Sequence, residues 1–443
     1  MRFGRPLVFF LLVLGLCSWH LDPSINDNTV SRAAMVAAIV EHGSLCIDPY
    51  HELTHDKALV DGHYYSEKAP LPALLVVPFW YAFHKLGWIE PKDHGLLTIG
   101  LLRLGGFICG SLPLALIITI TWWRLRNTRL PLPRAWLAIV PFIGSFLFVY
   151  CGSFHGHLVA ALFLLVAWLA RKRDHALLSG LFASAAVLSE YSLFFFPLVW
   201  LLQDIAQRKW KLLGSMVFGG LPGFLLLGVM NLMVTGKPWV LPYANVAEHI
   251  DTTGGTFGLG ATSIPALFNL LFSSYRGLFF FAPVTVLCAF VALRWMKRTG
   301  WRAALMHPLV LPSIALTLTI AGHIMWWGGW AFGPRHLTSI AVLLMAAALP
   351  RMPDRPWADG ALVYLGIAGL VIGVVTKCTT WYALPSDEVH PFTHMVLPNL
   401  FSRSFTMSQW PVSAGFSPIM GTVLFGIAFL WVMRYLQRAE VNT

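Results

Sequence analysis

Residues 69–88 read APLPALLVVPFWYAFHKLGW, and whether they cross a membrane decides the topology of everything after them. The stretch is long and apolar enough to cross, since a span needs ~20 apolar residues. Counted as a span, however, it puts the next basic cluster, Arg124, Arg126, Arg129 and Arg134, on the opposite side from the chain's other basic turns. Pro70, Pro72 and Pro78 also argue against a regular span. We read it as a helix lying at the outer membrane surface.

The chain around it is mostly hydrocarbon. Of 443 residues, 57% are hydrophobic and 12% charged, where a soluble domain carries roughly 25% charged residues. Apolar runs lie near 6–21, 97–123, 135–151, 156–170, 175–189, 191–203, 212–234, 277–294, 305–325, 335–350, 359–376 and 416–433. Each is read as a crossing, which predicts about 12 transmembrane helices. With the N-terminus inside, Arg2 and Arg5, the Arg124–Arg134 cluster, Arg171 to Arg173, and Arg208, Lys209 and Lys211 all fall on the inner side. So do Arg294, Lys297, Arg298 and Arg302, then Arg351 with Arg355, and Arg434 with Arg438. These are most of the 31 Lys and Arg, so the net charge of +11 reflects membrane orientation and not a nucleic-acid surface.

The expected fold is an all-α polytopic membrane protein, one domain over 1–443. Its first outer loop, 22–96, carries surface-lying helices, and further outer loops span 235–276 and 377–415. The N-terminal apolar segment lacks a small-x-small cleavage site and is read as an uncleaved first helix. Basic turns on both sides of 175–203 require two short helices meeting at Ser189-Glu190-Tyr191, or one long helix with a different topology elsewhere. Cys17, Cys109, Cys151 and Cys288 read as small core residues, while Cys46 and Cys378 lie in outer loops, where a disulfide is one option.

The longest polar interval is the part of the first outer loop at 27–70, DNTVSRAAMVAAIVEHGSLCIDPYHELTHDKALVDGHYYSEKAP. Val30, Ala33, Ala34, Ala37 and Val40 repeat at helical spacing. Asp27 or Asn28 would cap that helix and Arg32 lie one turn in. Asp27 also suits a general base facing an acceptor hydroxyl. Asp56, Asp61, Glu67 and Lys68 follow, with Asp61-Gly62 read as a turn. Lys68 is either a snorkelling anchor or, with Arg32, half of a two-cation phosphate clamp.

The order Arg32, Gly43, Asp61-Gly62, Tyr65 and Glu67-Lys68-Ala69-Pro70-Leu71 resembles the integral-membrane GT-C glycosyltransferases. It is closest to the branch of lipid A aminoarabinose transferases and protein mannosyltransferases. The pattern there is an acid, an Arg on the first loop helix, a Gly, Asn/Asp-Gly, Tyr and Glu-Lys-Pro-Pro-Leu. The resemblance implies that Arg32 and Lys68 hold the phosphate of a polyprenyl-phosphate sugar donor and that Asp27 is the base. It covers residues 27 to 71 in detail. The family's acid stands about where this chain has Thr29, so Asp27 is out of register and Asp56 is a rival base; Ala69 replaces one proline.

Elsewhere, His155 and His157 in SFHGH stand where the family often has a second acid. They suit a crevice wall or acceptor contact, or, with Glu67, a divalent metal. Glu190 is ionisable within apolar sequence and so a candidate crevice residue, or else a turn residue. Arg276 in SSYRG and Arg335 in FGPRH enter helices from the outer side, as donor-phosphate ligands or interfacial anchors. Trp326, Trp327 and Trp330 suit an aromatic belt or sugar stacking.

The function expected is an inverting glycosyltransferase in a bacterial inner membrane, facing the periplasm. It would move a sugar from a polyprenyl-phosphate carrier to a glycan, lipid or protein acceptor. No phosphate-loop or dinucleotide motif appears, no cofactor is required, and a divalent metal is left open. A secondary transporter would need ionisable groups at midplane on broken helices. An O-antigen polymerase or ligase is the other alternative.

Overall fold

The computed structural model describes residues 4–88, 97, 99–128, 132–247 and 257–441. Arg2, Arg129 and parts of the first two outer loops (89–96, 98, 248–256) lie outside the described residues. Helices account for nearly all the regular structure. They are α1 (Gly4–Cys17), α2 (Asp27–His42), α3 (Leu71–Lys85), α4 (Ile99–Arg124), α5 (Arg134–Ile143), α6 (Phe146–Tyr150), α7 (His157–Arg171) and α8 (Ala176–Ser189). Then come α9 (Phe195–Ala206), α10 (Trp210–Thr235), α11 (Ile264–Phe272), α12 (Val284–Thr299), α13 (Val310–Ala321), α14 (Thr338–Ala348), α15 (Pro356–Thr379) and α16 (Pro418–Val441).

Four of these are long and apolar enough to cross a membrane: Ile99–Arg124, Trp210–Thr235, Pro356–Thr379 and Pro418–Glu440. The expected count of twelve spans is not reached by length and composition among the described residues. Several of the remaining segments are cut into shorter helices. Residues 134–150, for instance, are split at Gly144-Ser145, where a Cβ on Gly144 would sit 2.7 Å from the Val140 carbonyl. The division at Glu190 between α8 and the turn leading into α9 is as expected, with Glu190 extended at φ −150.

The central core is aromatic. Trp168, Trp200, Tyr150, Phe142, Phe146, Phe148 and Phe196 are fully buried. A second, smaller core lies under the first outer loop, where Ala33, Ala34, Val36 and Ala37 of α2 pack with Ala73, Val76 and Trp80 of α3 and Leu101 and Leu102 of α4. The alanines let these backbones approach closely. The expected one-sided stripe on α2 is therefore too narrow, because residues 28–38 are buried on every side. The stretch 69–88 does form a short helix, α3, which buries one face on α2 and leaves Phe79 and Tyr81 exposed.

Three expectations need correction. The N-cap of α2 is Asn26, whose Oδ1 accepts from Asn28 N at 3.2 Å, so Asp27 is the first helical residue. A two-stranded hairpin, β1 (Lys57–Val60) with β2 (His63–Ser66), interrupts the all-helical plan. The last outer loop starts later than 377, because Lys377 is buried inside α15, where its Nζ donates to the carbonyls of Val149 (2.9 Å), in the last turn of α6, and Cys151 (2.5 Å), just past its end. Those carbonyls have no helical partner, and an ammonium satisfies them. Cys46 and Cys378 are both free thiols: Cys46 Sγ lies 4.0 Å from His63 Nδ1, and Cys378 Sγ lies 3.8 Å from His20 Nε2.

Candidate active site

The hairpin positions the site. Asp61 (φ 49) and Gly62 (φ 84) both take the left-handed conformation that a two-residue hairpin turn needs. Register Lys57↔Ser66 follows, and Ser66 Oγ lies 2.8 Å from Ser31 Oγ, tying β2 to α2. Glu67 and Lys68 thus emerge beside the first turns of α2.

Lys68 Nζ lies 2.8 Å from Asp56 Oδ2 and 2.6 Å from Glu67 Oε1. Burial pulls the ammonium down, but the two carboxylates outweigh it and hold Lys68 above its ordinary value. Arg32, on α2, is almost fully buried. Its Nη1 donates to Asn28 O at 2.9 Å and to the Asn28 side-chain oxygen, and its Nη2 lies 3.9 Å from Glu190 Oε1. Arg32 and Lys68 are therefore both at the site, each set against acid groups of the chain itself.

Glu190 links Arg32 to a further residue. Its Oε1 is 3.0 Å from His157 Nδ1. Burial would raise this carboxyl, yet the hydrogen bond and charge of His157, with Arg32, bring it down to about 2. When His157 is neutral, the carboxylate at Nδ1 keeps the proton there and leaves Nε2 as the lone-pair nitrogen. The approach is close: a Cβ on Gly156 would stand 2.9 Å from Glu190 Oε1 and 2.4 Å from Ser189 O. His155 stacks on His157 with centroids 5.5 Å apart and meets Ser153 Oγ at 3.2 Å. Burial and the nearby charges, those of Arg335, Arg32 and Lys68 among them, keep His155 well below its ordinary value.

Among the described residues, four buried nitrogens here have no hydrogen-bond partner: His155 Nε2, His157 Nε2, Arg32 Nε and Arg335 Nε. Leaving such groups unmet costs free energy, so they mark a place built to receive polar atoms. Arg335 comes from the turn before α14 and, among the described residues, has no carboxylate partner. Gly328 (φ 79) makes room for it, since a Cβ there would come 3.0 Å from Arg335 Nε.

The other expected residues fall outside this cluster. Asp27 is half-exposed (46%), and its Oδ1 accepts from His55 N at 2.9 Å and lies 3.1 Å from His55 Nδ1. Arg276 is fully buried and donates to the carbonyls of Trp327 (3.0 Å), Tyr275 (3.0 Å) and Gly329 (3.2 Å), which staples the turn after α11 to the WWGGW segment. Tyr65 lines a groove with Ser66 and Lys68 whose far wall is Leu227, Met230 and Val234 of α10.

Some residues were missed by the sequence reading. His336 stands 6.2 Å, ring to ring, from His157, and Tyr382 stands 4.5 Å from His155. The adjacency of His336 to Arg335 was the available signal. For metals, no three-ligand group forms at His155 and His157 among the described residues. Ligand atoms of three residues gather at Cys46, Asp48 and His63 instead.

No protein-family model matches the sequence, and no curated protein matches it. Among solved structures, the chain is similar to ArnT from Cupriavidus metallidurans bound to undecaprenyl phosphate, at 15% identity and TM-score 0.48, over 99% of this chain and 77% of that one. The same protein in the apo state gives 14% identity and TM-score 0.44, over 98% and 77%. The archaeal oligosaccharyltransferase AglB from Archaeoglobus fulgidus, in complex with an inhibitory peptide and a dolichol-phosphate, gives 12% identity and TM-score 0.44. That match covers 87% of this chain and 57% of AglB, so the chain spans little more than half of its length.

Proposed function

We propose that this protein is an inverting glycosyltransferase that takes its sugar from a polyprenyl-phosphate carrier. It would sit in a bacterial inner membrane as one twelve-pass domain over 1–443, with the crevice facing the periplasm. The observation that carries the reading is the placement of Lys68. Its ammonium lines a narrow cleft of about 20 Å³ with Met35, Leu227, Met230 and Val234, which sets a cation beside hydrocarbon side chains; the cleft has to widen to admit a lipid phosphate. Arg335 supplies a cation without a carboxylate partner among the described residues, and Arg32 a bidentate-capable one.

In the reaction, an acceptor oxygen attacks the anomeric carbon from the face opposite the phosphate. The bond from that carbon to the phosphate oxygen breaks, and its electron pair leaves on the phosphate, stabilised by Lys68 and Arg32. The acceptor proton passes to a carboxylate. That carboxylate has to lie on the face opposite the phosphate; Asp27 at the exposed rim and Asp56, which pairs with Lys68 at 2.8 Å, are the two candidates. Inversion at the anomeric carbon follows from the attack geometry. Asp56, Glu67, Lys68, Glu190 and Arg335 lie between helices and not within a long apolar span, which favours an enzyme over a transporter.

The test is binding of a polyprenyl-phosphate sugar in nanodiscs, wild type against Lys68→Ala and Arg32→Ala. Losing a charge-assisted phosphate contact should cost about 1.5–3 kcal/mol, a tenfold or greater weakening. Should the wild type not bind, or folded variants bind equally well, the clamp is wrong. Lys68→Met serves as the check on folding, because it keeps the stem packed.

A further inference from the structure

At the end of the bundle opposite the crevice lies a second concentration of charge. α7 begins at His157 in the crevice and ends at Arg171, about 21 Å away along its axis. Beyond that end is a basin of about 390 Å³ lined by Trp123, Arg124, Arg126, Lys172, Arg173 and Arg351, with no acidic side chain among its walls in the described residues. The cations are held by other means. Arg124 donates to the Ala346 carbonyl and stacks 4.9 Å over Trp168; Arg126 lies 3.9 Å over Trp123; Arg351 donates to the Ala347 carbonyl.

The neighbouring Arg171 shows what a neutralised cation looks like here. It grips buried Asp204 with two bonds, of 2.9 and 2.7 Å. The basin's charges bear on one another instead. Burial and then Arg351, Arg124 and Arg173 lower Lys172.

A second cavity, of about 370 Å³, shares Lys172 and Arg351 with the basin. Its walls include Trp168, Leu212, Trp295, Met306 and Pro308, with Asp174 and the already paired Asp204 at its polar side. An uncompensated cationic basin thus opens into a partly apolar slot. Trp123 is 43% exposed at the rim, at the end of a 26-residue apolar helix, where aromatic side chains meet the headgroup layer.

We propose that this basin binds the phosphate of an anionic glycerophospholipid from the inner leaflet, with part of the lipid lodged in the adjoining slot. A phosphate supplies the negative charge that the walls lack, and basic pockets between helices on this side suit such headgroups. The slot distinguishes a lipid from a free anion. The site is separate from the crevice and does not depend on glycosyl transfer.

The test uses the full chain in detergent and native mass spectrometry. Phosphatidylglycerol is titrated against phosphatidylcholine of the same acyl chains, with inorganic phosphate as competitor. The exposed pair Lys172→Gln/Arg351→Gln is compared with Arg294→Gln/Lys297→Gln, a basic pair outside the basin. Wild type should prefer phosphatidylglycerol, and the basin pair should weaken its binding by about 30-fold, the effect of two interfacial cations. The outside pair should leave it unchanged. Equal binding of both lipids, equal loss in both variant pairs, or full displacement by inorganic phosphate would each overturn the proposal. Unchanged thermal unfolding of the basin pair keeps a loss of binding from being read as a loss of fold.

Discussion

Glu190 shows how much one residue can hold. It sits between α8 and α9 and faces both His157 and Arg32. Glu190→Gln keeps an oxygen acceptor for His157 Nδ1–H while removing the charge that faces buried Arg32. The expected result is a loss of about 1–3 kcal/mol, read as a lower thermal midpoint, with Glu190→Ala losing more; a Gln variant as stable as wild type would show that the charge contributes nothing. The sequence marked Glu190 through a simple signal, an acid within apolar residues. The arginines gave no such separation. Arg276 and Arg335 each precede a helix on the outer side, and the two sequence contexts look alike. Only their surroundings differ, since Arg276 is bound to three carbonyls while Arg335 Nε has no partner among the described residues.

At the scale of elements, α8 and α10 pack through glycine. A Cβ on Gly219 would sit 2.0 Å from Leu177 O, and one on Gly180 would sit 2.0 Å from Met216 O. Small residues allow such backbone approach between membrane helices. Gly219→Val should therefore push the two helices apart and cost about 1–3 kcal/mol, measured by thermal unfolding in detergent. Gly214→Ala on the same helix, with nothing within 4 Å of the added carbon, should be tolerated. The helices themselves were legible, because apolar runs and their basic flanks are local properties of the chain. The hairpin was not. Its strands are four residues each, and Asp61-Gly62, the pair that makes its turn, fits an ordinary loop equally well. The late end of α15 was hidden for a related reason, since a lysine reads as loop until the carbonyls it caps are known.

Across the whole molecule, stability should depend on pH from both sides. His155 is buried and held below its ordinary value of 6.5. As pH falls through that value the unfolded chain takes up a proton that the folded chain refuses. Stability then drops by about 1.4 kcal/mol per pH unit for each such histidine. Lys68 acts oppositely. Its folded value lies above 10.5, so its contribution is complete below that pH and is lost as pH rises through the folded value. Thermal midpoints should form a plateau between about pH 7 and 10. His155→Gln should flatten the acid limb and Lys68→Met the alkaline one. Limbs unchanged in the variants would locate the titrating groups elsewhere.

The sequence by itself determined that this is a helical membrane chain, the order of its apolar segments and which loop carries the polar residues. Those properties depend on run length and on the positions of Lys and Arg, which are one-dimensional. It also brought Arg32 and Lys68 forward as a pair, and Glu190 separately as a candidate crevice residue. The tertiary structure alone decided which acid faces which cation: Asp56 and Glu67 against Lys68, Glu190 against Arg32 and His157, and no carboxylate against Arg335 among the described residues. Coulomb energy and desolvation depend on distances through space between residues far apart in the chain, and spacing along the sequence does not encode them.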